Sequence, residues 1–306
     1  MKILVTGLTG LVGSRLTELL SDSYEFENVS RKTGVDITNK TAVIQKIISS
    51  DAQIILHLAA KTDVDGCEED KKIDDKFLSQ KNPDNQEWIG QKTAWVINVF
   101  GTQNIAEACK KTDKKLIYIS TDFVFDGNKS QDEGYAEEDS QNPINWYGKT
   151  KYEGEKIVMN SGLDWIIARL AYPYRASFNN KNDFFRIILQ KLKTGQKLNM
   201  VTDHVMTPTF IDDFVYAIDS LIKTKQSGVF HTVGSQFMSP FDAATLIAEK
   251  FNLDKELISQ TSREEYFKDK AQRPFFLGLK NDKIEKMGIK MKTFEEGLGE
   301  IKNQII

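Results

Sequence analysis

The sequence is poor in the residues that build cross-linked or metal-held folds, since its 306 residues include two cysteines and three histidines. Cys67 and Cys109 are too few for a disulfide framework or a zinc cluster. His57, His204 and His231 show no metal-ligand spacing, and we therefore predict no catalytic metal. His57 and His231 lie within apolar strand-like runs, which is typical of core histidines.

Long apolar runs and an excess of charge are also lacking. No run approaches the ~18–20 residues that span a membrane, and MKILVTG (residues 1–7) reads as a strand entering a turn rather than a secretory signal. A net charge of -3 gives no electrostatic reason to expect nucleic acid or an anionic membrane as a partner. With 40% hydrophobic and 28% charged residues, the composition predicts a soluble cytoplasmic protein.

Strand-length apolar runs alternate with helix-length periodic segments over the first part of the chain. The runs are KILVT (2–6), YEFENVS (24–30), AQIILHLAA (52–60), KLIYIS (115–120) and DWIIARLA (164–171). This alternation predicts the α/β class, with a doubly wound parallel sheet of the Rossmann type and a smaller C-terminal substrate-binding domain.

The composition of the sequence changes near residue 172, where aromatic and asparagine residues cluster. We expect a dinucleotide-binding domain over residues 1–171 and a substrate-binding domain over most of 172–306, with about 208–233 returning to the Rossmann core. Residues 61–88 form a long charged stretch, which we interpret as a partly helical surface insertion.

GLTGLVG (7–13) places three glycines between the first strand and the first helix. Glycines allow the tight turn and let the backbone approach a pyrophosphate, while the helix N-terminus faces the anion. Gly7, Gly10 and Gly13 therefore predict a dinucleotide site.

The end of the second strand indicates which dinucleotide is bound. An acid there would bind the ribose 2′-hydroxyl, whereas cations accommodate a 2′-phosphate. The sequence has Ser30, Arg31 and Lys32 at this point, and Glu27 lies too early, within the strand. We therefore predict that NADP(H) is preferred, with NAD(H) also allowed.

YGKTKYEGEK (147–156) contains two tyrosines that each have a lysine four residues later, Tyr147 with Lys151 and Tyr152 with Lys156. Such a pair occupies one helix face and is the proton-donating arrangement of many nicotinamide enzymes. Tyr266 has the same relation to Lys270, so spacing alone cannot select the functional pair.

Five motifs that follow one another along the chain favour Tyr147 with Lys151 as the functional pair. They are GLTGLVG, HLAA (57–60), INVFGTQN (97–104), STDFVFDG (120–127) and YGKTKYEGE (147–155). Together they resemble the extended short-chain dehydrogenase/reductase superfamily, and within it the dTDP-4-dehydrorhamnose reductases. The resemblance covers residues 1–175 well and the remainder through NNKNDFF (179–185), PTF-x-DD (208–213) and Arg273-Pro274.

The resemblance implies that Tyr147 donates a proton to a ketone as hydride arrives from the nicotinamide. Lys151 would hold the nicotinamide ribose and lower the pKa of Tyr147, and Thr121 would bind the carbonyl oxygen. Tyr152 would point ~140° away around the helix. Asn98 would fix the active-site helix.

The resemblance also implies further contacts. Along the cofactor we expect Thr9, Leu11, Val12, Asp36, Ile37, Leu58, Ala59, Ala60 and Lys61. At the substrate we expect Asp122, His204 and Arg273 together with Thr121.

The implied activity is NADPH-dependent reduction of a nucleotide-linked 4-keto sugar. Related dehydratases carry an acid after the Thr–Asp pair, where this sequence has Phe123. A nucleotide-sugar epimerase and a non-catalytic NADP-binding regulatory subunit remain alternatives. The sequence leaves the nucleotide, the sugar and the oligomeric state open, and a homodimer is one of the states it allows.

Overall fold

The structure, a computed structural model, describes residues 1–80, 85–130 and 133–305. The chain divides into two compact units. The first unit consists of residues 1–124, 143–168 and 226–229, and the second of residues 125–142, 169–225 and 230–306.

Strands and helices alternate in the first unit, as the sequence predicted. Its elements are β1 (Lys2–Thr6), α1 (Leu11–Leu20), β2 (Glu25–Val29), α2 (Lys40–Ser49), β3 (Ile54–His57), α3 (Val64–Ser79), α4 (Gln86–Gln91), α5 (Gly101–Thr112), β4 (Lys115–Thr121), α6 (Trp146–Met159) and β5 (Trp165–Leu170). A π-helical turn, Val96–Phe100, leads directly into α5.

The second unit is built from shorter strands and several helices. Its elements are β6 (Pro173–Tyr174), α7 (Phe184–Lys193), β7 (Leu198–Val201), β8 (Thr209–Phe210), α8 (Ile211–Lys223), β9 (Gly228–His231), α9 (Pro240–Lys250), β10 (Ile258–Thr261), α10 (Arg263–Tyr266), α11 (Asp282–Glu285) and α12 (Phe294–Ile305). Strand β9 begins in the first unit, at residues 228–229.

Six strands form the main sheet, in the order β2-β1-β3-β4-β5-β9. The pairs β1–β2, β1–β3 and β3–β4 are parallel. Strands β1 and β3 are apolar almost throughout and buried, as strands covered on both faces must be. The predicted Rossmann-type α/β class is confirmed, and GVFHTV supplies the edge strand β9. Residues 208–225, expected to return to the Rossmann core, belong to the second unit.

The insertion at 61–88 is helical on both sides of the undescribed residues 81–84. Phe77 of α3 and Trp88 of α4 stack with ring centroids 5.6 Å apart. They form a small buried cluster with Val96 of the π-helical turn. The insertion therefore has an apolar core of its own on the first unit.

Among the described residues, no helix combines the length and apolar character required to cross a membrane.

Candidate active site

The turn between β1 and α1 has the geometry of a phosphate cradle. Gly7 adopts φ +76°, and a Cβ there would lie 2.9 Å from the backbone nitrogen of Ala59. A Cβ on Gly13 would lie 2.5 Å from the Gly7 carbonyl oxygen. Gly10 precedes α1 and provides no side-chain cap, so a bound anion can accept hydrogen bonds from the backbone N–H groups at the start of this helix. The remaining predicted residues of the turn are exposed or half-exposed: Thr9, Leu11 and Val12.

Two cations follow β2. Ser30 begins a short 3-10 turn, in which its backbone N–H donates to the Thr33 hydroxyl over 3.0 Å. Arg31 and Lys32 are exposed on this turn. Glu27 lies inside β2, where its carboxylate binds Lys46 and Ser50. The positions expected to meet a ribose 2′-phosphate thus carry positive charge.

Asp36 and Ile37, expected beside the adenine, both form hydrogen bonds within the protein. Burial would raise the pKa of Asp36, but hydrogen bonds from Thr38 and the Lys92 ammonium, 3.0 Å away, lower it below its ordinary value. The Ile37 side chain is buried, and its carbonyl accepts a hydrogen bond of 2.9 Å from Asn104. Their contact with a cofactor stays a prediction.

The segment after β3 borders the cradle. Leu58 and Ala59 donate their backbone N–H groups to the Thr6 carbonyl and hydroxyl, each over 3.1 Å. Ala60 is half-exposed. The Lys61 ammonium pairs with Asp70 at 2.5 Å, so any cofactor contact by Lys61 must share this cation with a carboxylate.

Asn98 fixes this same segment to helix α6. Its side chain accepts from the Lys61 backbone N–H over 2.8 Å and donates to the Lys61 carbonyl over 3.0 Å. It also donates to the Thr150 hydroxyl of α6 over 3.0 Å. The structural role expected for Asn98 agrees with these contacts.

Thr121, Tyr147 and Lys151 come together where β4 ends and α6 begins. Asn145 caps α6 by accepting from the Gly148 backbone N–H over 2.8 Å. A Cβ on Gly148 would lie 2.1 Å from the Phe123 carbonyl oxygen, so only glycine permits this close approach. The first turn of α6 thereby lies against the residues that follow Thr121.

Tyr147 is 8% exposed, and its ring meets Phe123 edge-on with centroids 5.7 Å apart. Burial raises the pKa of the Tyr147 phenol above its ordinary value, against a hydrogen bond with Thr121 that lowers it. The rise follows because desolvation disfavours the phenolate. The lowering of this pKa expected from the Lys151 ammonium stays a prediction.

Lys151 is buried beneath the same helix. Its ammonium donates to the Ile119 carbonyl over 2.7 Å and lies 4.0 Å from the centroid of the Tyr118 ring. Burial lowers the pKa of Lys151 to about 7, with Glu155 acting in the opposite direction.

Asp122 follows Thr121 and has a buried oxygen without a hydrogen-bond partner among the described residues. Thr121 donates its hydroxyl proton to Oδ1 of Asp122 over 2.8 Å. Oδ2 is buried without a hydrogen-bond partner among the described residues. Burial raises the pKa of Asp122 to about 7. A buried acid with an unused oxygen is a ready partner for a ligand hydroxyl.

Tyr152 points elsewhere. It is half-exposed, and the Lys156 ammonium lies 5.1 Å from its ring while pairing with Glu153 at 2.7 Å. The second tyrosine–lysine pair thus forms a surface cluster, as expected from its position on the helix.

The second unit holds the other two predicted substrate residues, His204 and Arg273. Nδ1 of His204 lies 2.7 Å from the Pro274 carbonyl oxygen, which can only accept, so this nitrogen carries the proton. Nε2 then accepts from the Tyr172 hydroxyl over 2.7 Å. Arg273 is half-buried, with its guanidinium 4.9 Å from the Phe267 ring centroid. Their substrate contacts stay predictions.

His57 and His231 are buried and hydrogen-bonded, as expected of core histidines. His57 binds the hydroxyls of Thr6 and Thr102 at 2.6 and 3.1 Å. His231 binds the Lys280 carbonyl and Arg169 at 2.9 and 3.1 Å. Within residues 1–80, 85–130 and 133–305, no group of three or more His, Cys, Asp or Glu side chains could hold a metal ion.

A comparison with known protein families finds a match over the whole chain. A family model described as the RmlD substrate binding domain matches residues 1–85 and 80–306. The chain belongs to this family. The expected resemblance to the dTDP-4-dehydrorhamnose reductases is thereby confirmed.

Relatives of this RmlD-family chain include enzymes and a subunit of another enzyme. A dTDP-4-dehydrorhamnose reductase of Aggregatibacter actinomycetemcomitans is 28% identical, with 98% of each chain covered. The methionine adenosyltransferase 2 subunit beta of Bos taurus is 28% identical over 98% of this chain and 86% of its own length. A solved dTDP-4-dehydrorhamnose reductase of Bacillus anthracis, in complex with NADP, is 29% identical over 99% of each chain, with a TM-score of 0.85.

Sequence reasoning missed two features of this family member. Tyr172 has φ +40° although it is not glycine and precedes Pro173. Strain of this kind costs ~1–3 kcal/mol and clusters at functional sites, whereas a residue before proline is expected to be extended, so the sequence carried no signal for it. The second feature is Asp74, a carboxylate of the insertion that is fully buried. Its charged neighbours in the sequence gave no sign of that burial.

Proposed function

We propose that this protein is an NADPH-dependent reductase of a nucleotide-linked 4-keto sugar, similar to dTDP-4-dehydrorhamnose reductase. The observation that carries the proposal is the convergence of Thr121, Tyr147 and Lys151 at the end of β4 and the start of α6. The carboxyl end of a strand in a doubly wound sheet is where such folds bind ligands.

The cofactor residues fit a dinucleotide. The cradle formed by Gly7, Gly10 and Gly13 has no room for side chains at two of its positions and opens onto a helix start without a side-chain cap. Arg31 and Lys32 would pair with the 2′-phosphate that distinguishes NADPH from NADH. When bound, the reduced nicotinamide supplies the hydride for the carbonyl carbon.

Tyr147 is the proton donor in this proposal. Its raised pKa keeps the phenol protonated at neutral pH, which is the state that a general acid requires. The Thr121 hydroxyl, which donates its proton to Asp122 in this structure, would turn that proton to the ketone oxygen and stabilise the negative charge that develops on it. Lys151 would turn its ammonium toward a ribose hydroxyl, and its charge would then favour loss of the tyrosine proton.

Asp122 and Phe123 restrict the chemistry. The unused oxygen of Asp122 can accept a hydrogen bond from a sugar hydroxyl. Phe123 is buried against Tyr147 and offers no acid–base group for eliminating water. We therefore favour reduction over dehydration.

The likeness to methionine adenosyltransferase 2 subunit beta favours a second candidate, a non-catalytic nucleotide-binding subunit. The assembled Thr121–Tyr147–Lys151 set supports catalysis instead. Purified protein should be incubated with NADPH and a panel of dTDP-, UDP- and GDP-linked 4-keto sugars. We expect reduction of one of them, and NADPH binding without reduction of any would favour the subunit.

A further inference from the structure

Asp74 of α3 is a buried carboxylate that accepts four hydrogen bonds. Its Oδ1 accepts from the Trp88 indole over 2.8 Å and from the Thr93 hydroxyl over 2.5 Å. Its Oδ2 accepts from the Trp146 indole over 2.8 Å and from the Trp95 backbone N–H over 3.2 Å. Burial raises the pKa of Asp74, and these hydrogen bonds act against the rise. The donors come from α4, α6 and the segment before α5.

Trp146 is the residue directly before Tyr147 and the first residue of α6. Its indole binds Asp74, and its backbone N–H donates to Glu68, also of α3, over 2.8 Å. Its ring stacks on Trp95 with centroids 5.5 Å apart. Helix α3 therefore holds both the backbone and the side chain of the residue next to the proton donor.

We propose that Asp74 is a positioning residue that fixes the first turn of α6 through Trp146 and so sets the direction of the Tyr147 phenol. The inference rests on the proposed role of Tyr147 as proton donor. It also gives the 61–88 insertion a purpose, because α3 and α4 supply the carboxylate and one of the two indoles. A displacement of ~1 Å at a reacting group can cost ~10²-fold in rate.

The two indoles provide a matched pair of variants. Trp88→Phe and Trp146→Phe remove the same N–H group and the same part of a ring, one from each oxygen of Asp74. Trp88 lies in α4, and its ring contacts Phe77 and Phe100. Both changes should lower the melting temperature, but only Trp146→Phe loosens the helix that carries Tyr147.

The experiment compares kcat and KM for the wild type, Asp74→Asn, Trp146→Phe, Trp88→Phe and the Asp74→Asn/Trp146→Phe double variant. We expect Asp74→Asn and Trp146→Phe to lower kcat ~10–100-fold, with KM for NADPH nearly unchanged. The double variant should be no slower than the worse single variant, because both break one connection. Trp88→Phe should keep the wild-type kcat. An unchanged kcat in Trp146→Phe, or an equal loss in Trp88→Phe, would overturn the proposal.

A second readout does not depend on turnover. In protein labelled at its four tryptophans and nine tyrosines, Asp74→Asn should shift the indole N–H resonances of Trp88 and Trp146 and leave that of Trp165. The ring resonances of Tyr147 should move in Asp74→Asn, or in Trp146→Phe if the former does not fold, and stay in place in Trp88→Phe. If the wild type reduces no 4-keto sugar, the proposed function is wrong. If the Tyr147 resonances do not move in Asp74→Asn or Trp146→Phe, the positioning role is wrong, whatever the activity.

Discussion

Replacing Tyr147 by phenylalanine removes the phenolic hydroxyl and keeps the ring. The ring packs against Phe123, with centroids 5.7 Å apart, and the residue is 8% exposed, so the fold should tolerate the change. Loss of the hydrogen bond with Thr121 should lower the free energy of unfolding by ~0.5–1.5 kcal/mol. Loss of the general acid should cost ~10²–10⁴-fold in kcat, or about 3–5 kcal/mol in the barrier.

Tyr152→Phe is the matched control, since it removes the same group five residues later on the half-exposed face of α6. It should leave kcat within about twofold, because that face carries the surface ion pairs of Glu153 with Lys149 and Lys156. Initial rates with the active 4-keto sugar and NADPH, cofactor affinity by fluorescence titration, and thermal melts should be measured for both variants. A crippled Tyr152→Phe beside an active Tyr147→Phe would refute the assignment of the active-site helix.

Two further predictions concern charge. Arg31→Ala/Lys32→Ala should remove a preference for NADPH over NADH of at least ~10-fold, since even one charge-assisted hydrogen bond to the 2′-phosphate is worth ~1.5–3 kcal/mol. Fluorescence titration of both cofactors should show the loss, with Lys40→Ala as the control. An unchanged affinity ratio would contradict the prediction. Burial raises the pKa of Asp122 from 3.8 to about 7, so in that window the folded protein keeps a proton that the unfolded chain has lost. The free energy of unfolding should therefore fall as pH rises through this window. Urea denaturation of Asp122→Asn should show a shallower fall, and an equal fall would contradict the shift.

The sequence predicted the elements that local pattern controls. Continuous apolar strands and periodic helices place β1, β3 and β4 within a few residues of their observed bounds, because burial on both faces leaves few alternatives. The glycine turn was equally predictable, since the positive φ of Gly7 and the close approach at Gly13 exclude other residues.

Contacts between residues far apart in the chain could not be predicted from the sequence. The motif order points to Tyr147, but the direction of its pKa depends on a burial that no local pattern reveals. His204 could be placed in a loop, yet its neutral tautomer is set by the carbonyl of Pro274, 70 residues away. Asp74 lies among charged residues that suggest a solvated helix, and the two indoles that bury it come from α4 and α6.

The most direct test of the central claim is the stoichiometry of the reaction. Purified protein should be given a nucleotide-linked 4-keto sugar and NADPH, with the reduced-nicotinamide absorbance and the sugar product followed together. We expect one NADPH oxidised for each sugar reduced. Conversion of the sugar without loss of that absorbance would contradict the claim and identify an epimerase.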